Sequence, residues 1–116
     1  MIEAGQIVLF PFPLTNQTTG KLRPALVLRE CPGPHDDWLI CMISSQCHHG
    51  IAGIDEIVCP EDTDFAQSGF KMPSVIRATR LAVVTADVLQ GAIGSLPEAR
   101  LGRIRGNIAR WISGSA

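Results

Sequence analysis

In this 116-residue chain, two arginines and a serine stand out as residues that could do chemistry: Arg23, Ser44 and Arg77. Arginine is charged at any physiological pH, and its planar fork grips an oxyanion through two parallel hydrogen bonds. A serine hydroxyl can hydrogen-bond the same anion or orient a reacting hydroxyl group. The chemistry suggested is therefore stabilisation of negative charge, on a phosphate for instance, more than proton transfer. Arg23 precedes Pro24, where a polar stretch gives way to an apolar run. The proline removes a backbone donor and stiffens the chain, which can hold the guanidinium over a concave surface. Ser44 ends another apolar run. By spacing alone, such residues are more often a solvated arginine at a sheet edge and an ordinary turn serine. Arg77 lies in Val75-Ile76-Arg77-Ala78-Thr79-Arg80, where alternation places Val75, Arg77 and Thr79 on one face. A charged residue at a strand interior usually faces solvent.

Other chemistries find little support. The chain has no GxxxxGK[ST] or GxGxxG phosphate cradle, no HExxH, and no acidic run with calcium-loop spacing. Cys47-His48-His49 with Cys41 and Cys59 suggests zinc, but adjacent ligands rarely converge on one ion and CxxC spacing is lacking. The plainer reading is buried cysteines and a solvated histidine pair. Nothing marks Cys47 as an activated nucleophile. No metal and no cofactor are expected.

The elements that must position Arg23, Ser44 and Arg77 read mainly as strands. Ile7–Phe10 and Pro24–Leu28 flank the polar Leu14–Gly20 stretch and form a hairpin with a long tip. Trp38–Ile43 is a third strand, followed by a polar loop at Cys47–Gly50 and a brief strand near Ile57–Cys59. Glu61–Gly69 is an acidic excursion with one helical turn. Ser74–Thr79, Leu81–Val84 and Val88–Ile93 read as three further β runs. Ser95-Leu96-Pro97-Glu98 has the form of a capping box. After it Leu101, Ile104, Ile108, Trp111 and Ile112 make one apolar helical face, with Arg100, Arg103 and Arg110 off it. Gly102 and Gly106 weaken this helix by about 1 kcal/mol each relative to alanine, so docking must hold it. The pattern predicts a mainly β fold: a small bent antiparallel barrel with a C-terminal α-helix laid against it.

Length predicts a single domain over residues 1–116, and 46% hydrophobic with 18% charged residues excludes a disordered chain. The net charge of −1 hides an asymmetry. Residues 1–70 carry three basic groups against nine acidic ones, and residues 71–116 carry seven against two. Such a split suggests a polyanionic or protein partner. No apolar run reaches the roughly 20 residues a membrane span needs, and Met1–Gly5 lacks a basic leader. Four cysteines without paired spacing read as reduced thiols, and the expected location is cytoplasmic.

Longer stretches resemble a known family. Gly5-Gln6-Ile7-Val8-Leu9-Phe10-Pro11-Phe12-Pro13 and Lys21-Leu22-Arg23-Pro24-Ala25-Leu26-Val27-Leu28 look like the opening of PemK/MazF-like toxins of type II toxin–antitoxin systems. Similar stretches follow at Ile43–Gln46, Gly69–Ala78 and Ile93–Leu96, so the resemblance spans almost the whole chain. It implies an SH3-like barrel of the CcdB/Kid/MazF type, a homodimer, a cognate antitoxin, and a metal-independent endoribonuclease cutting single-stranded mRNA at short sequences. Arg23 falls on the family's catalytic arginine, and Ser44 on a position usually held by a catalytic threonine. Arg77 matches an arginine that binds or protonates the scissile phosphate in Kid-like members. Thr79 stands where those members have an aspartate, and their loop histidine is absent from Leu14–Leu22. Lys21, Pro24 and Gln46 complete the RNA contacts that the resemblance implies.

Such an enzyme uses the nucleophile RNA already carries, the 2′-hydroxyl, and need only orient it and stabilise the phosphorane. Asn16, Gln17, Thr18 and Thr19 can read unpaired bases by hydrogen bonding. With 5% aromatics and no tyrosine, stacking platforms are scarce and phosphate contacts should dominate affinity. A conventional base, if used, would be His48 or His49. Two other readings stay open: a non-enzymatic toxin resembling CcdB, and a catalytically degenerate binding or co-repressor module.

Overall fold

A computed structural model describes residues 1–12 and 21–115. The strands are β1 (Gln6–Phe12), β2 (Lys21–Glu30), β3 (Asp37–Ser44), β4 (Glu56–Val58), β5 (Ser74–Thr85) and β6 (Ala92–Ser95). The helices are α1 (Phe65–Ser68) and α2 (Glu98–Ser113), with 3-10 turns at Cys47–His49 and Ala86–Val88. All pairings are antiparallel, in the order β4-β5-β3-β2-β1-β6. The expected bent barrel is therefore a curled half-barrel, with β4 and β6 as its two edges.

Alternation along the strands sends apolar side chains to both faces. Ile7, Leu26, Cys41, Ile43 and Ile76 meet Leu101, Ile104 and Ile108 of α2 in one cluster. Val8, Phe10, Ala25, Val27, Trp38 and Ile40 fill the other, closed by Val84 and Leu89. Two buried faces explain why β2 reads as a continuous apolar run from Ala25 to Leu28.

Five expectations need correction. Ser74–Thr79 and Leu81–Val84 belong to one strand, β5, with a bulge in its middle: Met42 pairs with Arg77, but the adjacent Cys41 pairs with Leu81. Residues 78–80 are the extra ones, so the alternation that put Thr79 with Arg77 does not run through them. The Val88–Ile93 run is a 3-10 turn followed by β6, because Gly91 adopts a positive φ of 120° between them. The capping box does not form. Pro97 is the N-cap without a side-chain bond, and Ser95 ends β6, where its Oγ accepts from Gln67 Nε2 at 3.2 Å.

The fourth correction concerns Arg100, expected on the polar side of α2. It is buried. Its guanidinium grips Asp64 through two hydrogen bonds of 2.6 and 3.0 Å and reaches Glu56 and Asp62 at 3.1 and 3.2 Å. Arg103 adds two bonds to Glu56, and Arg105 donates twice to the Leu28 carbonyl. Arg100 and Arg103 thus spend their charge on the acidic half of the same chain. Trp111 and Ile112, expected in the buried stripe, remain exposed.

Candidate nucleic-acid interface

Strand register brings Arg23, Ser44 and Arg77 together. Ala25 pairs with Met42, and Met42 with Arg77. Continuing each strand by two residues sets Arg23 level with Ser44, which pairs with Val75. Side chains two apart on a strand share a face, so Arg23, Ser44 and Arg77 project on the same side of the sheet.

Two adjoining hollows meet at Arg23, Pro24, Ile43 and Ser44. One, of about 350 Å³, is completed by Met42, Arg77 and Arg80. The other, of about 370 Å³, is walled by Leu9, Phe70, Met72 and Ile93, with Ser45, Gln46, Lys71 and Ser74 supplying polar groups. Four cationic side chains line the pair: Arg23, Lys71, Arg77 and Arg80. No carboxylate lines either hollow among the described residues. A concave surface with this charge attracts anions.

The second wall is set by a contact between backbones. A Cβ on Gly69 would overlap the Ile93 carbonyl oxygen, and one on Gly94 would overlap the Ser68 carbonyl. Gly69 ends α1 at φ +78°, a conformation that glycine adopts without strain. This junction fixes Phe70, Lys71 and Met72 beside β6.

Ser44 is half-buried, and its Oγ accepts the Gln46 amide at 3.0 Å. That bond turns the chain away from β3 and leaves the hydroxyl hydrogen free to donate toward the hollows. Arg77 is also largely buried, with its Nε 3.4 Å from Oδ2 of Asp55. Arg23 is exposed at the rim.

The structure places Arg23, Pro24, Ser44, Gln46 and Arg77 at the hollows. Lys21 is exposed at the start of β2 and lines neither. Thr79 also lines neither, because the bulge sends Arg80 there in its place. Asn16, Gln17, Thr18 and Thr19 lie outside the described residues. His48 and His49 are exposed on the 3-10 turn, their rings edge to face with centroids 4.2 Å apart, and line neither hollow. Lys71, Arg80, Ser45 and Ser74 were not expected there. Lys71 carried a signal, as a lone base in the turn-rich Gly69-Phe70-Lys71-Met72-Pro73.

The acidic residues lie elsewhere. Hydrogen bonding to Arg100 holds the Asp64 carboxyl below the usual aspartate range, against the opposing effect of burial. Hydrogen bonding to Asp64 likewise raises Arg100 above the usual arginine value. Burial, with the Asp55 charge adding to it, pushes the Cys41 thiol up, and all four cysteines are unbridged.

Comparison with solved structures finds the same fold. An endoribonuclease in complex with its cognate antitoxin, from a mycobacterial species, superposes with TM-score 0.69 at 12% identity, covering 97% of this chain and 96% of that one. The Mycobacterium tuberculosis toxin MazF-mt6 gives 0.68 at 22% identity, covering 93% and 96%. A MazE–MazF structure from Deinococcus radiodurans gives 0.67 at 21%, covering 99% and 98%. A search of curated proteins finds no match. The family model for the PemK-like, MazF-like toxin of type II toxin–antitoxin systems matches residues 3–112. With that match running from before β1 to the last turn of α2, the chain belongs to the PemK/MazF-like family of type II toxins.

Proposed function

We propose that this toxin is an endoribonuclease that cleaves single-stranded mRNA at short sequences. The observation that carries the reading is the pair of hollows lined by Arg23, Lys71, Arg77 and Arg80 and by no carboxylate among the described residues. The strand backbone enters along these cations. The 2′-hydroxyl gives its proton to solvent and attacks the adjacent phosphorus, the P–O5′ bond breaks with the 5′-oxygen taking a proton from solvent, and a 2′,3′-cyclic phosphate remains. Arg23 stabilises the charge that builds on the phosphorane oxygens rather than transferring a proton. Ser44 donates its hydroxyl to a non-bridging oxygen or to the attacking 2′-hydroxyl. Arg77 grips the phosphate from the opposite side of Ser44. Gln46 and the apolar wall of Phe70, Met72 and Ile93 receive an unpaired base.

Two partners accompany this reading. An acidic segment of a cognate antitoxin covers the cationic hollows, as suits a family whose solved members include antitoxin complexes. A second copy covers the end of α2, where Ile112 is 67% exposed beside a groove of Leu28, Leu39, Ile108 and Ala109. The test is digestion of a long single-stranded RNA in the presence of EDTA. Defined fragments with cyclic phosphate ends support the reading. Intact RNA overturns it and favours a non-enzymatic or co-repressor module.

A further inference from the structure

Asp55 has no place in the site just described, yet its carboxylate touches three residues in two parts of the chain. The side chain is 2% exposed. Glu56 pairs with Ile76 across β4 and β5, so Asp55, one residue earlier, comes level with Arg77. Its Oδ1 accepts the Ala78 amide at 2.8 Å. Its Oδ2 accepts the Ile51 amide at 3.0 Å and lies 3.4 Å from Arg77 Nε.

Each contact has a structural consequence. Ala78 opens the three-residue bulge, where a backbone amide is left without its ladder partner. The carboxylate supplies that partner and so fixes where β5 departs from β3, immediately after Arg77. Ile51 lies in the segment that returns from Ser44 and Gln46 toward β4, so the same carboxylate also ties down the chain leaving the hollow. Arg77 Nε is buried and has no hydrogen-bond partner among the described residues, the Asp55 carboxylate meeting it as an ion pair at 3.4 Å. A buried guanidinium nitrogen left away from any carboxylate would be costly. With Nε facing Asp55, the two Nη groups are left for the hollow that Arg77 lines.

We propose that Asp55 is a positioning residue for the cleavage reaction, holding Arg77 by its Nε so that the Nη groups meet the scissile phosphate. The proposal rests on the endoribonuclease reading above. Asp55 itself touches no substrate. Its effect comes through the orientation of one guanidinium, and a misplacement of about 1 Å at such a group can cost about 100-fold in rate.

The test is a double-mutant cycle on cleavage of a short single-stranded RNA, with Asp55→Asn, Arg77→Ala and the combined variant, alongside thermal melts. The expected result is that Asp55→Asn lowers kcat by about 10- to 100-fold with KM nearly unchanged. The double variant should then be no slower than Arg77→Ala alone. A wild-type kcat in Asp55→Asn, or losses that multiply in the double variant, overturns the proposal. Should Asp55→Asn fail to fold, or should the wild type cleave no RNA, the decision passes to the Arg77 Nε–H signal of the wild-type protein, identified by its absence in Arg77→Lys. A sharp, slowly exchanging signal with a cross-strand contact to residue 55 supports the positioning role. A signal exchanging as fast as that of the exposed Arg23 overturns it. Failure of the wild type to cut RNA, by contrast, counts against the enzymatic reading alone.

Discussion

Gly69 and Gly94 each lack the side chain that would collide with the other's backbone segment: Gly69 lies against the Ile93 carbonyl, and Gly94 against that of Ser68. The obstacle on both sides is backbone, which cannot swing aside as a side-chain tip can. Gly94→Ala should therefore destabilise the fold by about 3 kcal/mol and lower Tm by roughly 10 °C or more. Thermal unfolding measures this directly. Gly102→Ala is the control, because a Cβ there meets nothing within 4 Å; it should raise stability slightly through helix propensity.

Arg23 is exposed and Ser44 half-buried, so their roles can be separated from folding. Arg23→Ala should cut RNA cleavage by about 100-fold or more while leaving Tm within 2 °C or so. Ser44→Ala should cost less, about 10-fold, since it removes one neutral donor. Ser44→Thr should keep the activity, the hydroxyl being retained. Single-turnover rates on one RNA sequence make the comparison.

The Arg100 cluster governs acid stability. The Asp64 carboxyl is held below the usual range, chiefly by its hydrogen bond to Arg100, so its folded-state pKa lies below that of the unfolded chain. Its contribution is complete above the unfolded value of about 4 and is lost as pH falls through the lower folded value. Melts from pH 6 to pH 2 should show Tm dropping below about pH 4. Asp64→Asn should weaken that dependence and lower Tm at neutral pH. Arg100→Met, which leaves Asp62 and Asp64 without their guanidinium partner, should cost about 3 kcal/mol at pH 7.

The end of α2 offers a test of assembly. Ile112→Lys places a charge in the groove of Leu28, Leu39 and Ile108, beside the like charges of Arg29 and Arg105. Sedimentation should shift toward the monomer, with helix content unchanged. A dimer persisting in this variant would move the interface elsewhere.

Much of this fold was legible from local pattern. The β1–β2 hairpin, β3, the single turn at Phe65–Ser68 and the apolar face of α2 all follow from runs and spacing within a few residues. What was hidden depends on partners distant in sequence. Arg100 looked solvent-facing because its carboxylates lie 36 to 44 residues earlier. The bulge after Arg77 could not be read from alternation, since the amide it frees is taken by Asp55, 23 residues away. Thr79 and Arg80 consequently exchanged expected places. Ser95 resembled a cap because Glu98 follows at the right spacing, but β6 pairing holds it extended against Gln6. At the candidate site, Arg23 and Ser44 came from motif and strand ends. Lys71 and Arg80 needed the folded sheet.

The Arg100 cluster also bears on when the molecule becomes active during its own synthesis. Glu56, Asp62 and Asp64 leave the ribosome well before Arg100 and Arg103, and until then their charges repel one another without compensation. The face that α2 covers, including Ile43 and Ile76, stays open over the same interval. A chain still attached to the ribosome short of α2 therefore has Arg23 and Ser44 but not the framework that sets them. For a type II toxin, this order of emergence delays completion of the cationic hollows until translation has passed α2.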